Sequence, residues 1–204
     1  LGTKCRSLTA CIPKGAPVSD LETRLDAVES RLAIGQLPIR YALAVDGRDL
    51  DAWVSQFVPD VRVGRDAYGR EALRAQIEPM LRTFRRSIHQ ICGHRIELDP
   101  SDPDRASGAT YCRAEHEVDE RWIVMAICYF DDYQRVDGDW LFRRRRERHW
   151  YAADVTERPQ AVGFDSWQNG SPPALPEAFP TWSPFWDYDA GPIDEAVSRD
   201  SRVT

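Results

Sequence analysis

The hydrophobic period of this chain changes near residue 87, and that change restricts the folds open to it more than any other feature. Before it, apolar residues recur at helical spacing, at Leu21, Leu25, Val28, Leu32, Leu37 and Tyr41. Pro38 lies inside this helix, so a kink or restart is predicted near Gln36–Pro38. Gly47 ends the helix, and Asp49 reads as the N-cap of a short second helix through Trp53 and Phe57. Pro59-Asp60 then turns the chain into a strand at Val61-Arg62-Val63. A third helix is predicted from Arg70 to about Phe84, burying Ala72, Leu73, Ile77, Met80 and Leu81. After it come four long segments rich in β-branched and aromatic residues: Ser87–Leu98, Ala106–Val118, Trp122–Val136 and Trp140–Tyr151. Only short turns separate them, and Asp137-Gly138 is a hairpin signal.

Helices first and a meander of strands after them is an α+β pattern. The predicted domain is a cone-shaped α+β barrel. Its N-terminal helices pack in the concave face of a curved mixed, mostly antiparallel sheet, which closes around a polar pocket. Residues 1–20 read as an irregular arm, 21–156 as the cone and 157–204 as an extension. The extension carries prolines at 159, 172, 173, 176, 180, 184 and 192 among Trp167, Phe179, Trp182, Phe185, Trp186 and Tyr188. That proline density argues against any regular helix or strand. The aromatics call for a surface to pack on, either the domain itself or a neighbouring subunit.

Charge narrows the partners. The net charge of −6 leaves no broad basic field for nucleic acid or an anionic membrane. No stretch approaches the ~20 apolar residues of a membrane span. The first twenty residues lack the apolar core of a signal peptide, so the expected compartment is the cytoplasm. The cysteines Cys5, Cys11, Cys92, Cys112 and Cys128 are odd in number and form no CxxC pair, which fits neither a zinc site nor a disulfide framework. The last three are expected to be reduced and buried in strands. No cofactor or metal is expected, since no HExxH-type ligand pattern occurs.

The run IGQLPIRYALAVDGRDLDAWVSQFVPDVRV, from Ile34 to Val63, resembles the opening of SnoaL-like proteins of the nuclear transport factor 2-like superfamily. Ser87-Ile88-His89-Gln90 and the closing Gly138-Asp139-Trp140-Leu141-Phe142 with its arginines are similar to later pieces of the same pattern. The resemblance covers about residues 21–155. It implies the fold more strongly than an activity, because the group includes dehydratases, cyclases, isomerases, dehydrochlorinases and silent relatives. In scytalone dehydratase and hexachlorocyclohexane dehydrochlorinase an Asp on the first helix pairs with a strand His. Asp46 and His89 match those places. His116 matches a further His of scytalone dehydratase, whose Ser and Asn fall near Ile127 and Tyr129 here and whose pocket Tyr falls near Arg65. Tyr41 resembles the corresponding residue of bacterial bile-acid dehydratases, and Arg145 is the nearest match to an Arg on their closing strand. Trp53 and Tyr129 are expected to contact substrate beside them.

The chemistry these residues imply is proton abstraction. A carboxylate on one imidazole nitrogen fixes the tautomer and leaves the other nitrogen as a general base, which contributes roughly 10²–10⁴-fold. Asp46 lies five residues after Tyr41, about 140° around an ideal helix, so local unwinding is expected to turn it inward. Strand parity puts Arg144, Arg146 and Arg148 with Trp140 and Phe142, and Arg143 and Arg145 with Leu141. Most of these arginines are therefore expected to face solvent or an interface, answered by Asp131, Asp132 and Glu147. Each candidate also has a plainer role. Asp46 can be a turn residue, His89 a satisfied interior group, His116 a partner of Glu115 or Glu117, and Tyr41 core.

The leading expectation is a cofactor-free lyase or isomerase, dehydratase-like, acting on a small hydrophobic or aromatic substrate. The alternatives are a non-catalytic ligand-binding or assembly module of the same fold, and a partner resembling an oxygenase β-subunit. The resemblance also implies a homo-dimer or homo-trimer joined through the outer face of the sheet.

Overall fold

The computed structural model describes residues 18–168 and 170–187. Cys5, Cys11, most of the expected arm, Tyr188 and Pro192 lie outside them. Helix α1 (Val18–Gly47) is followed by α2 (Leu50–Ser55), a small hairpin of β1 (Arg62–Val63) and β2 (Ala67–Tyr68), and α3 (Arg70–Leu81). The long strands are β3 (Ser87–Leu98), β4 (Arg105–Val118), β5 (Arg121–Val136) and β6 (Asp139–Asp154). They pair antiparallel in the order β3-β4-β5-β6.

This is the expected α+β fold, with one correction: the curved sheet is open. Closure would require β3 to pair with β6. Instead α1 packs against both strands. The edge of β6 is taken by chain segments on either side, with Val58 N donating to Phe142 O and Ala152 N donating to Phe164 O. Covering the edge removes an exposed template for unwanted strand pairing.

Local chemistry explains the element ends. Asp49 caps α2, accepting from Ala52 N at 2.9 Å. Asp137 and Gly138, at φ 51° and 91°, form the two-residue hairpin turn that needs positive φ at both places. Helix α1 runs through Pro38 without restarting. Pro38 is fully buried, and this packing offsets the lost backbone bond. Its inward face carries Ser30, Ile34, Leu37 and Val45, whereas Leu21, Leu25, Val28 and Leu32 are exposed. The helix thus has two apolar faces. Helix α3 stops at Leu81 rather than Phe84, and Met80 is exposed rather than buried.

Cys112 and Cys128 are buried, and burial pushes their thiols up to about 12 and about 11. Cys92 departs from expectation. It sits at a β-bulge between Ile91 and Gly93, which turns it out to solvent.

The extension is not wholly irregular. It holds a 3₁₀ turn (Pro159–Val162) and a short helix α4 (Trp182–Asp187). Residues 164–166 run beside β6, and Arg121 Nη2 holds Ser166 Oγ at 2.9 Å. Farther on, Ala174 N and Leu175 N donate to His149 O, and Phe179 packs on Phe130 and Trp150. Part of the outer sheet face is therefore covered by the chain itself. Among the described residues, no helix is long and apolar enough to cross a membrane.

Candidate active site

The last turn of α1 lies against the start of β3, and this juxtaposition joins Asp46 to His89. Asp46 Oδ1 is 2.8 Å from His89 Nδ1 and accepts from Ser87 Oγ at 2.7 Å. Its Oδ2 accepts from the His89 backbone N–H at 2.8 Å. Arg48 steadies the corner, donating from Nη1 to Ser87 Oγ at 2.9 Å and to Val45 O at 2.6 Å. Both carboxylate oxygens are engaged, so Asp46 is fixed in orientation. Burial works to raise its pKa, but the hydrogen bonds and charge of His89 and the Ser87 hydroxyl outweigh this and hold it below the ordinary value. The unwinding expected of α1 does not occur. The helix continues to Gly47, and β3 comes close enough for Asp46 to reach it from the final turn.

The His89 ring, 7% exposed, faces an interior cavity of about 50 Å³. Tyr41, His116, Met125, Tyr129 and Trp167 line it as well. His89 and His116 meet edge to face at 5.7 Å, and Tyr41 stands 6.3 Å from His89 and 5.9 Å from Tyr129. The phenols of Tyr41 and Tyr129 are buried, which raises the pKa of both. They are therefore neutral donors at ordinary pH.

His116 makes no salt bridge with its acidic neighbours: Glu115 takes Trp122 and Arg113, and Glu117 takes Arg86. The imidazole lies instead between Phe84 at 4.7 Å and Trp167 at 4.8 Å. Burial, followed by the nearby His89, lowers its pKa to about 4. The linkage has a definite sign. Between about pH 6.5 and pH 4 the unfolded chain takes up a proton that the native His116 refuses, so stability falls as pH falls through that window. The loss approaches about 3 kcal/mol near pH 4. Urea titrations from pH 7 to 4.5 should show this slope in the native protein and a shallower one in His116→Phe. Equal slopes would remove His116 as the cause.

Arg145 does not line the cavity. Its guanidinium stacks over Tyr41 (4.3 Å), Tyr129 (4.1 Å) and Phe142 (4.4 Å), behind the phenols. Nε and Nη2 each donate to Asp131 at 2.9 Å. The parity expectation fails here because Arg143 is bulged out of register between the pairs Asp132/Arg144 and Tyr133/Phe142. One extra residue flips the strand, and Arg145 joins Phe142 on the inner face. Asp131 is likewise interior, with Tyr133 Oη donating to it at 3.0 Å. Of the other arginines, Arg143 pairs with Asp60 and Arg146 with Asp132.

Trp53 also lies behind the wall, packed on Tyr41 at 5.9 Å and Phe57 at 5.0 Å. Trp167 and Glu147 line the cavity, although neither was singled out as a site residue from the sequence. Trp167 sits in the proline-rich segment, where no periodicity places a side chain. Ser87 had a signal, since it precedes His89 by two residues and so shares its strand face. The expected ready pocket is largely filled by these side chains. Among the described residues no group of three or more His, Cys, Asp or Glu could hold a metal ion.

A family model described as a SnoaL-like domain matches residues 26–146. The structure is similar to that of hexachlorocyclohexane dehydrochlorinase LinA, at 25% identity and a TM-score of 0.58 over 67% of this chain and 96% of that one. It is also similar to a provisionally named scytalone dehydratase from Novosphingobium aromaticivorans, at 26% identity and a TM-score of 0.55 over 68% of this chain and 93% of that one. No curated protein matches the sequence.

Proposed function

This chain belongs to the SnoaL-like domain family, and we propose that it is a lyase or isomerase of dehydratase type in which His89, held by Asp46, takes a proton from an activated carbon. The observation that carries this reading is the Asp46–His89 hydrogen bond at the wall of a small cavity lined by aromatic side chains. Nδ1–H donates to Asp46, and in that tautomer Nε2 carries the free lone pair. Nε2 abstracts the proton next to a carbonyl, and the electron pair forms an enolate. Neutral Tyr41 donates to the developing oxyanion, while the Arg145 cation behind it favours the charged state. The enolate then collapses to a carbon–carbon double bond. The C–O bond breaks, and the imidazolium returns its proton to the departing hydroxide as water. These steps need only a base, an acid and a donor. Both similar proteins carry names that describe eliminations.

The test is catalysis itself. Offered small aromatic or apolar β-hydroxy ketones and esters in D₂O, the protein should form the α,β-unsaturated product and exchange deuterium into the α-carbon. Neither product nor exchange across such a panel would overturn the proposal.

A second reading, a ligand-binding module of the same fold, is favoured by the size of the chamber. About 50 Å³ is far below the roughly 300–1,000 Å³ of most small-molecule sites. Under either reading Trp167 governs admission, and a substrate enters when its indole swings off His116. Trp167→Ala should leave a cavity on the order of 150 Å³, dry and large enough for benzene. NMR titration with benzene should then perturb the Met125 and Ile127 methyls in the variant and not in the native chain. Equal perturbation in both would show that Trp167 does not close the chamber.

A further inference from the structure

The outward face of α1 carries an apolar stripe that the domain does not use. Leu21, Leu25, Val28, Leu32, Ile39 and Leu43 are 62, 54, 54, 66, 44 and 70% exposed. At 100° per residue all six fall within about 40° of one line, roughly opposite Ser30, Ile34, Leu37 and Tyr41. Their spacing runs four, three, four and seven residues from Leu21 to Ile39, and Gly35 occupies the intervening place. A Cβ at Gly35 would meet nothing within 4 Å, so this position leaves room for a facing backbone. Leu25, Leu32 and Ile39 are thus a positions, and Leu21, Val28 and Gly35 are d positions, of a heptad seam.

We propose that α1 pairs with α1 of a second copy of this chain as a parallel two-stranded coiled coil. Two further observations choose this occupant. First, the flanks are sorted by charge. Glu22 and Glu29 lie at e positions on one side, and Arg24 and Arg31 at g positions on the other. Around a two-fold axis parallel to the helices, each g residue faces the e residue five places on. Arg24 of each copy then meets Glu29 of the other, twice per dimer. An antiparallel pair would oppose Arg with Arg and Glu with Glu. The exposed contacts already made, Arg24 to Asp20 at 3.8 Å and Arg31 to Ile96 O, leave Glu29 open to that partner. Second, five half-exposed side chains from each copy, Leu21, Leu25, Val28, Leu32 and Ile39, bury on the order of 1,000 Å² in a pair, the lower bound for a specific interface. The helices are already folded by their inward faces, so association does not bear the cost of nucleating them. The surface is distinct from the outer sheet face, where oligomer contact is expected from the family resemblance.

Sedimentation equilibrium on the full chain tests this. The native protein should be a dimer. Leu25→Glu with Leu32→Glu should be a monomer with unchanged circular dichroism. Arg24→Glu alone and Glu29→Arg alone should each raise the dissociation constant about tenfold, and the two together should restore it, because only a parallel pair re-forms both contacts. A native monomer at all concentrations overturns the proposal, as does a dimer indifferent to the Leu25/Leu32 pair. Failure of the charge swap to restore affinity overturns the parallel arrangement. A native monomer that instead floats with phosphatidylcholine vesicles would assign the stripe to a lipid surface.

Discussion

Asp46→Asn should leave the protein folded and lower turnover about 10²–10⁴-fold. The carboxamide can still accept from the His89 backbone N–H, the bond now made to Oδ2 at 2.8 Å. Toward the ring, however, it presents an N–H₂ group, and His89 Nδ1 must then become the acceptor. The proton moves to Nε2, and the nitrogen facing the chamber ceases to be a base. His89→Ala removes the base altogether and should cost at least as much. Because the two act as one unit, Asp46→Asn added to His89→Ala should cost little more. Circular dichroism and thermal midpoints close to those of the native chain separate this from unfolding, and Asp46, 22% exposed, leaves room for such a change. Full turnover in both single variants would reduce the pair to a structural corner between α1 and β3.

The largest stability effect is expected at the ion pair behind the phenols. Arg145 and Asp131 have side chains 6% and 0% exposed, joined through two parallel hydrogen bonds. Burial works against the guanidinium charge, and Asp131 more than restores it, so the Arg145 pKa is raised. Removing Asp131 strands that cation beneath three aromatic rings. Asp131→Ala should therefore lower unfolding free energy by about 3–5 kcal/mol. Arg145→Met should also destabilise, since it strands the carboxylate. Asp131→Leu combined with Arg145→Met should recover most of the loss, because a well-packed apolar pair needs no compensating charge. Urea denaturation of the three variants measures it. Simple additivity would show that the two groups are not coupled.

The double variant also separates stability from chemistry. If Arg145 favours a negative charge on substrate through Tyr41, the recovered fold should still turn over slowly, with the loss in kcat rather than in KM.

Much of the scaffold was legible from the order of residues alone. Period 3.6 before residue 87 and period 2 after it fix which segments can bury one face as helix and which as strand. The four strands accordingly begin and end within three residues of their predicted bounds. Asp49 as a cap and Asp137-Gly138 as a hairpin turn are local effects, decided by atoms a few residues apart.

What could not be read is what depends on distant chain. Parity groups Arg145 with Leu141 rather than with Phe142 because it assumes an unbroken ladder. The bulge at Arg143 arises from pairing with β5, and the strand itself carries no mark of it. Leu21 to Tyr41 read as one apolar series, yet the helix has two stripes, and only packing shows that Ile34 and Leu37 are the ones used. Trp167 lines the cavity because residues 164–166 dock beside β6, a placement no proline-rich sequence announces.

The sequence by itself determined the element types, their order and the α+β class, since these follow from backbone propensity and the side-chain period along a few residues. The tertiary structure decided the inward turn of Arg145, the seat of Trp167, the size of the chamber and the contact between Asp46 and His89. Each of these rests on a distance between residues far apart in the chain, and such distances are set by packing.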